Sequence, residues 1–125
     1  MTSRDKIAKI VPVAHLDLIA NDYYMMVLTH ALEHPPYLEW FKNRVFEEHY
    51  LILDNSTVEL GAPENFARYL DKALGINANE IVLPDWLHDA ERTLSCMDEA
   101  TKSIQSSSYK GYVMAIPQGR TQNEW

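Results

Sequence analysis

Cysteine and basic side chains are both scarce in this chain of 125 residues. Cys96 is the single cysteine, which excludes an internal disulfide and a zinc site built from several cysteines. Eleven Lys and Arg against eighteen Asp and Glu give a formal charge of −7. This balance argues against a nucleic-acid surface, because phosphate binding depends on clustered Lys and Arg. Any contact with DNA or RNA is therefore expected to come from elsewhere.

Long apolar runs are absent as well. No run approaches the roughly 18 residues of a membrane span, and the first residues lack the apolar core of a secretory signal. We therefore expect a cytoplasmic protein with no membrane partner. Of the five histidines only His30 and His34 share an i, i+4 spacing, and the HExxH order of a zinc helix is missing. We expect no metal and no cofactor.

Three short apolar runs each end in a polar side chain, at nearly equal spacing. They cover Tyr50–Asp54, 81–85 and 113–118, and their polar ends are Asp54, Asp85 and Gln118. The spacing matches the 30 or so residues of one strand and its crossover helix. Such units place strands in parallel, with the carboxyl ends along one edge where ligands bind. Two carboxylates and an amide are therefore predicted to converge there.

The pattern around these runs predicts one domain over residues 1–125. Its fold class is α/β, a half-barrel of about four parallel strands that resembles the first half of a TIM barrel, since the chain is half the roughly 250 residues of a closed barrel. Strands are predicted at 10–16, 50–54, 80–85 and 112–118. Helices are predicted from Asn21 or Asp22 through Leu32, over 37–44, from Pro63 to Gly75, and from Asp89, with an inner stripe of Ala90, Leu94, Met97 and Ile104.

The last residues spell a capping box. Thr121 and Glu124 have the Thr-x-x-Glu spacing that begins a helix, and Trp125 lies one turn into it. A helix that is capped but ends after one turn is typical of a fragment, so we expect a longer fold. Four parallel strands leave two open edges, which favour pairing with another chain or with a second half.

Two interpretations of the strand-end acids stand side by side. Asp, Asn and Ser after a strand often form turns or cap the next helix, which is all they would do in an unrelated small α/β domain. Alternatively, acids that meet in a partly dry cleft perform acid–base chemistry or accept N–H donors from a flat polar ligand. That three successive strands end this way favours the second interpretation.

The same residues resemble a known family, the tRNA-guanine transglycosylase-like barrels, in their N-terminal half. The similarity is greatest to the phage-encoded branch that places 7-deazaguanine bases into DNA, and it extends over nearly the whole chain. It is carried by Leu53-Asp54-Asn55-Ser56 with Glu59-Leu60-Gly61, by Ile81-Val82-Leu83-Pro84-Asp85, and by Ala115-Ile116-Pro117-Gln118-Gly119 with Asn123-Glu124-Trp125.

This resemblance implies a role for each matching residue. Asp54 would contact the base and take part in proton transfer, as the catalytic residue. Asp85 would accept the ring N–H and the exocyclic amine of a guanine-like edge. Gln118 would serve the base carbonyl, and Gly119 would let the ligand approach the backbone. Asn55 and Ser56, also expected at the binding site, replace a glycine pair of the tRNA enzymes and favour DNA over tRNA as acceptor.

The resemblance also implies what this chain lacks. The nucleophilic aspartate of the relatives lies in the second half of their barrel, and the zinc cluster of the tRNA enzymes needs three cysteines. We therefore expect a transferase-like protein that exchanges guanine for a 7-deazaguanine base, in the host cytoplasm if phage-encoded, but no covalent catalysis by this chain alone. Expected partners are the base, nucleic acid if a second half is present, and a second copy or another chain at the strand edges. The alternative is a non-catalytic base-binding or assembly protein.

Overall fold

The computed structural model describes residues 7–44 and 49–124, and Trp125 lies outside them. Its centre is a parallel four-stranded sheet with the strands in chain order. This arrangement confirms the predicted α/β fold and is consistent with a half-barrel, since the sheet is not closed. The strands are β1 (Tyr24–Leu28), β2 (Tyr50–Asp54), β3 (Glu80–Val82) and β4 (Tyr112–Met114).

Strand β2 lies inside the sheet, as its continuous apolar sequence predicts. Its three central residues, Leu51 to Leu53, are all buried, which is typical of a parallel strand covered on both faces. Tyr24 pairs with Tyr50, and Ile52 pairs with Glu80 on the next strand. Every connection joins neighbouring parallel strands, and the right-handed crossover usual for such connections predicts that the helices lie on one face.

Among the described residues, four α-helices and three 3₁₀ helices connect and flank the strands. Helices α3 and α4 begin with side-chain caps, in which Asn65 and Asp89 accept hydrogen bonds from the amides of Arg68 and Arg92. The sequence predicted that a helix begins at Asp89, which agrees with α4. It also predicted a helix from Pro63, whereas α3 begins at Phe66. The helices are α1 (Pro35–Lys42), α2 (Thr57–Leu60), α3 (Phe66–Gly75) and α4 (Ala90–Gln105), with 3₁₀ helices Val13–Ile19, His30–Glu33 and Gln122–Glu124.

The main core lies between one face of the sheet and helices α1 and α3. It joins Met25, Val27, Leu51, Leu53 and Ile81 of the strands to Tyr37, Phe41, Tyr69, Leu70 and Ala73 of the helices. Helix α4 is rotated relative to the predicted stripe. Thr93 and Ala100 are buried, while Leu94 is 64% exposed.

The predicted first strand and first helix were wrong. Residues 10–16 form no strand, and Val13–Ile19 is a 3₁₀ helix. Within the described ranges, a single bridge between Lys9 and Met25 extends the sheet on that side. The segment Tyr24–Leu28, predicted as helix, is β1. Its apolar residues fit both the helical period and the strand period of two residues. Pairing with all five residues of β2 favours the strand.

The edge of the sheet at β4 is open within the described residues. Tyr112 is 71% exposed and Val113 is 43% exposed. No helix within residues 7–44 and 49–124 is long and apolar enough to cross a membrane. At the C-terminal end, Glu124 accepts a hydrogen bond from the Thr121 amide, one arm of the predicted capping box.

Candidate functional site at the carboxyl edge of the sheet

The carboxyl ends of the four strands bring the predicted site residues together. Asp54 is the last residue of β2, and Asp85 and Gln118 follow β3 and β4 within a few residues. Asp85 and Gln118 are in direct contact, and Asp54 lies close enough to Asp85 for their charges to interact. Parallel strands make this convergence a consequence of topology.

The Asp85 carboxylate is held between two side-chain amides. Its Oδ1 accepts a hydrogen bond of 2.6 Å from Asn55 Nδ2, and its Oδ2 accepts one of 2.6 Å from Gln118 Nε2. Asp85 is only 4% exposed. No Lys or Arg of the described chain forms an ion pair with it. Each carboxylate oxygen has a further lone pair, so the Asp85 oxygens retain capacity to accept another N–H group.

Asn55 and Gln118 are themselves fixed by the backbone around them. Asn55 Nδ2 also donates to the Leu83 carbonyl at 2.8 Å, and Asn55 is 6% exposed. Gln118 Oε1 accepts from the His88 amide at 3.2 Å, and Gln118 is only half-buried. Gly119, the next residue, is buried. Of the two amides on Asp85, that of Gln118 is therefore the one that can move.

Turn chemistry is present at the same residues. Asp54 Oδ2 accepts the Ser56 amide at 2.9 Å, and Asn55 Oδ1 accepts the Thr57 amide at 3.1 Å. These are the side-chain turns that the first interpretation of the strand-end acids predicted. The carboxylate of Asp85 is different, since its two oxygens bond to side chains that follow the two neighbouring strands, β2 and β4.

Burial raises the pKa of Asp54 above its ordinary value. The Ser56 amide lowers the pKa of Asp54, the charges of Glu59 and Asp85 raise it, and His30 lowers it. A raised pKa brings this carboxyl closer to the range in which it can take up and release a proton near neutral pH.

Asp54→Asn should flatten the pH dependence of stability. Since the folded-state pKa of Asp54 is raised, its contribution is fully present below the unfolded-state pKa of about 3.9 and is lost as the pH rises through the folded-state pKa. The amide that replaces the carboxylate keeps an oxygen for the Ser56 amide. We expect the Asp54→Asn variant to be more stable than the wild type at pH 7, by up to about 1 kcal/mol, in thermal unfolding between pH 4 and 7. The same change at exposed Asp71 is the control, and an equal pH profile for the Asp54 variant and the wild type would contradict the argument.

Ser56 links the end of β2 to the loop after β1. It is fully buried, with a left-handed backbone (φ 56°) that is uncommon for a residue other than glycine. Its Oγ accepts the His30 amide at 3.3 Å and lies 2.8 Å from His30 Nδ1. Because its own proton then needs an acceptor, the arrangement that satisfies every group has Oγ donating to Nδ1 and leaves the proton of the ring on Nε2.

His30 is a site residue that sequence reasoning missed. It lies two residues after β1 and therefore at the same edge as the acids. The error followed from placing residues 24–32 in a helix. The signal was available, since the apolar run Tyr24–Leu28 is followed by polar Thr29 and His30 just as β2 is followed by Asn55 and Ser56.

A buried phenol bridges the ends of the two strands that precede the acids. Tyr69 of α3 donates its hydroxyl proton to the Leu53 carbonyl at 2.7 Å and accepts the Val82 amide at 3.0 Å. The Tyr69 hydroxyl therefore replaces a direct backbone hydrogen bond between Leu53 of β2 and Val82 of β3. Leu53 is the residue immediately before Asp54. Burial raises the pKa of Tyr69 well above its ordinary value, so the donor persists at neutral pH.

Trp86, which directly follows Asp85, lies between other side chains. The Arg92 guanidinium stacks over its ring at 3.7 Å, and its Nε1 donates to Cys96 Sγ at 3.2 Å. Across the described ranges, no group of three or more His, Cys, Asp or Glu side chains could hold a metal ion. The site's chemistry is that of carboxylates, amides and one imidazole.

The chain was compared with known protein families, curated proteins and solved structures. No family model, no curated protein and no solved structure matches this chain. The function must therefore be argued from the geometry of the site.

Proposed function

We propose that this chain recognises a guanine-like base, of the 7-deazaguanine type, as the base-binding part of a transglycosylase-like protein that acts on nucleic acid. The observation that supports the proposal is the Asp85 carboxylate, which receives two neutral N–H donors in a buried setting. A guanine edge offers a ring N–H and an exocyclic amine side by side. These two donors match a single carboxylate.

Gln118 would exchange partners when the base binds. Its Nε2 occupies Asp85 Oδ2 at 2.6 Å, where a ligand N–H would bond. Gln118 is half-buried and is held on the other side only by the His88 amide, so its side chain can turn. Once turned, the amide can donate to the base carbonyl instead. Asp54, with its raised pKa, would then hold or release a proton beside the base.

The test is calorimetric titration of two free bases into the chain. We expect 7-deazaguanine to bind, and 7-deazahypoxanthine, which lacks the exocyclic amine, to bind roughly 10- to 100-fold more weakly, as for the loss of one charge-assisted hydrogen bond. Asp85→Asn should abolish this preference, because an amide offers only one acceptor oxygen.

Asp89→Asn is the matched control. It makes the same change four residues away, at an N-cap position where Asn and Asp are equivalent. This variant should keep the wild-type affinities for both bases. Equal affinity of the wild type and Asp85→Asn for 7-deazaguanine would contradict the proposal, provided that both variants unfold cooperatively.

A second candidate, assembly with another chain, is supported by the open β4 edge. Exposed Tyr112 and Val113 lie on a strand whose outer backbone groups have no partner strand within the described residues. We expect the mass measured by light scattering to rise with concentration toward that of a dimer. A monomer at every concentration would contradict this candidate and leave base recognition untouched.

A further inference from the structure

A cavity lies beside the carboxyl edge of the sheet, next to His30 and the end of β1. Its volume is about 380 Å³. It lies between the segment 10–13, the end of β1 at Leu28, and the residues His30, Ala31, His34 and Tyr37. Because Lys9 pairs with Met25, the following segment runs alongside the last residues of β1. Asp54, Asp85 and Gln118 do not line this cavity.

The walls of the cavity are mostly apolar, with a few polar groups and no side chain of the Asp, Glu, Lys or Arg type. Apolar walls with a small number of placed polar groups are typical of small-molecule sites, and the volume lies within the usual range of about 300–1,000 Å³. Because no carboxylate, ammonium or guanidinium group lines the cavity, it favours an uncharged ligand.

Two of the polar groups are hydrogen-bond donors. Tyr37, 2% exposed, accepts the Leu28 amide at 2.9 Å, and its own hydroxyl proton has no acceptor among the described residues. Burial raises the pKa of Tyr37 to about 12, which keeps that proton in place at neutral pH. His30 uses Nδ1 on Ser56 and so retains a proton on Nε2.

We propose that this cavity binds an uncharged aromatic ring that carries an acceptor oxygen, such as an aryl ketone or aryl amide. The ring would pack against the apolar walls, and the oxygen would accept from the Tyr37 hydroxyl and His30 Nε2. A buried donor left without an acceptor is costly, so a ligand oxygen gains most from the Tyr37 hydroxyl, and the half-buried His30 would add a second donor. Because His30 also bonds to Ser56, an occupant here would be coupled to the loop after β2.

The experiment uses acetophenone as the probe, with toluene as the matched ligand without an oxygen. Binding is followed by saturation-transfer and ¹⁵N-correlated NMR spectra of the whole chain. We expect acetophenone to bind with a dissociation constant of about 1 mM, to shift the amide signals of Ala31 and His34, and to bind at least about 5-fold more tightly than toluene. Tyr37→Phe should remove most of that difference.

A filled cavity provides the decisive variant. Val13 lines the cavity and is 39% exposed, so Val13→Trp can occupy the space without disturbing the core. Leu94→Trp introduces the same side chain at a residue 64% exposed on α4 and serves as the control. Acetophenone should lose binding to Val13→Trp and keep it with Leu94→Trp. No saturable binding to the wild type, or equal binding to both tryptophan variants, would overturn the proposal; base titration is independent of either result.

Discussion

Tyr69→Phe should lower the free energy of unfolding by about 2–4 kcal/mol. The substitution removes one oxygen and leaves two buried groups unpaired, the Leu53 carbonyl and the Val82 amide. Each such group costs about 1–3 kcal/mol. A native domain has only about 5–15 kcal/mol of stability, so the loss is a large fraction of the total. At roughly 4 °C for each kcal/mol, the expected decrease in Tm is about 8–16 °C.

Tyr112→Phe is the control for this measurement. Tyr112 is 71% exposed, and an exposed substitution of this kind usually changes stability by less than about 0.5 kcal/mol. Both variants are compared with the wild type by urea unfolding at pH 7. If Tyr69→Phe and Tyr112→Phe had the same midpoint, the phenol would not be bridging β2 and β3 in solution.

Asp85→Leu should destabilise the chain by about 1–3 kcal/mol, whereas Asp85→Asn should cost about 1 kcal/mol or less. Leu has a similar size but offers no acceptor, so the Asn55 amide, itself buried, retains only the Leu83 carbonyl. Asn keeps one oxygen for Asn55. The half-buried Gln118 amide can then rotate to face the new NH₂ with its own oxygen, losing only the His88 amide.

The ranking of the two variants is the measurement that matters. Thermal unfolding of both, together with Asp89→Asn, gives the stability of each without any ligand. We expect Asp85→Leu to be the least stable and Asp89→Asn to match the wild type. The reverse order for the two Asp85 variants would mean that its oxygens are not the acceptors of Asn55 and Gln118. The result also establishes that Asp85→Asn is folded enough for the base titration.

Sequence reasoning succeeded where local chemistry and topology agree. Strand β2 is a continuous apolar run, α3 ends at Gly75, and Asp89 caps α4. Once three such strands are parallel, their polar ends must share an edge. The meeting of Asp85 with Gln118 followed from this rule.

The parts that were missed depend on tertiary contacts. Tyr24–Leu28 satisfies both a helical and a strand pattern, and its pairing with β2 decides between them. His30 was lost with that error. No periodicity assigns Asn55 to one oxygen of Asp85 and Gln118 to the other, because this depends on the register of Ile52 against Glu80. The insertion of Tyr69 between two strands has no local signal either.

The consecutive order of the strands bears on how this chain folds during synthesis. Each strand pairs with the one made just before it, over 26 positions from Tyr24 to Tyr50, 28 from Ile52 to Glu80 and 32 from Glu80 to Tyr112. No strand has to wait for a partner at the far end of the chain, so the entropy lost in closing each loop stays small and nearly constant. The sheet can therefore grow from its N-terminal side as the polypeptide leaves the ribosome, with each new strand pairing at the edge left by the strand before it.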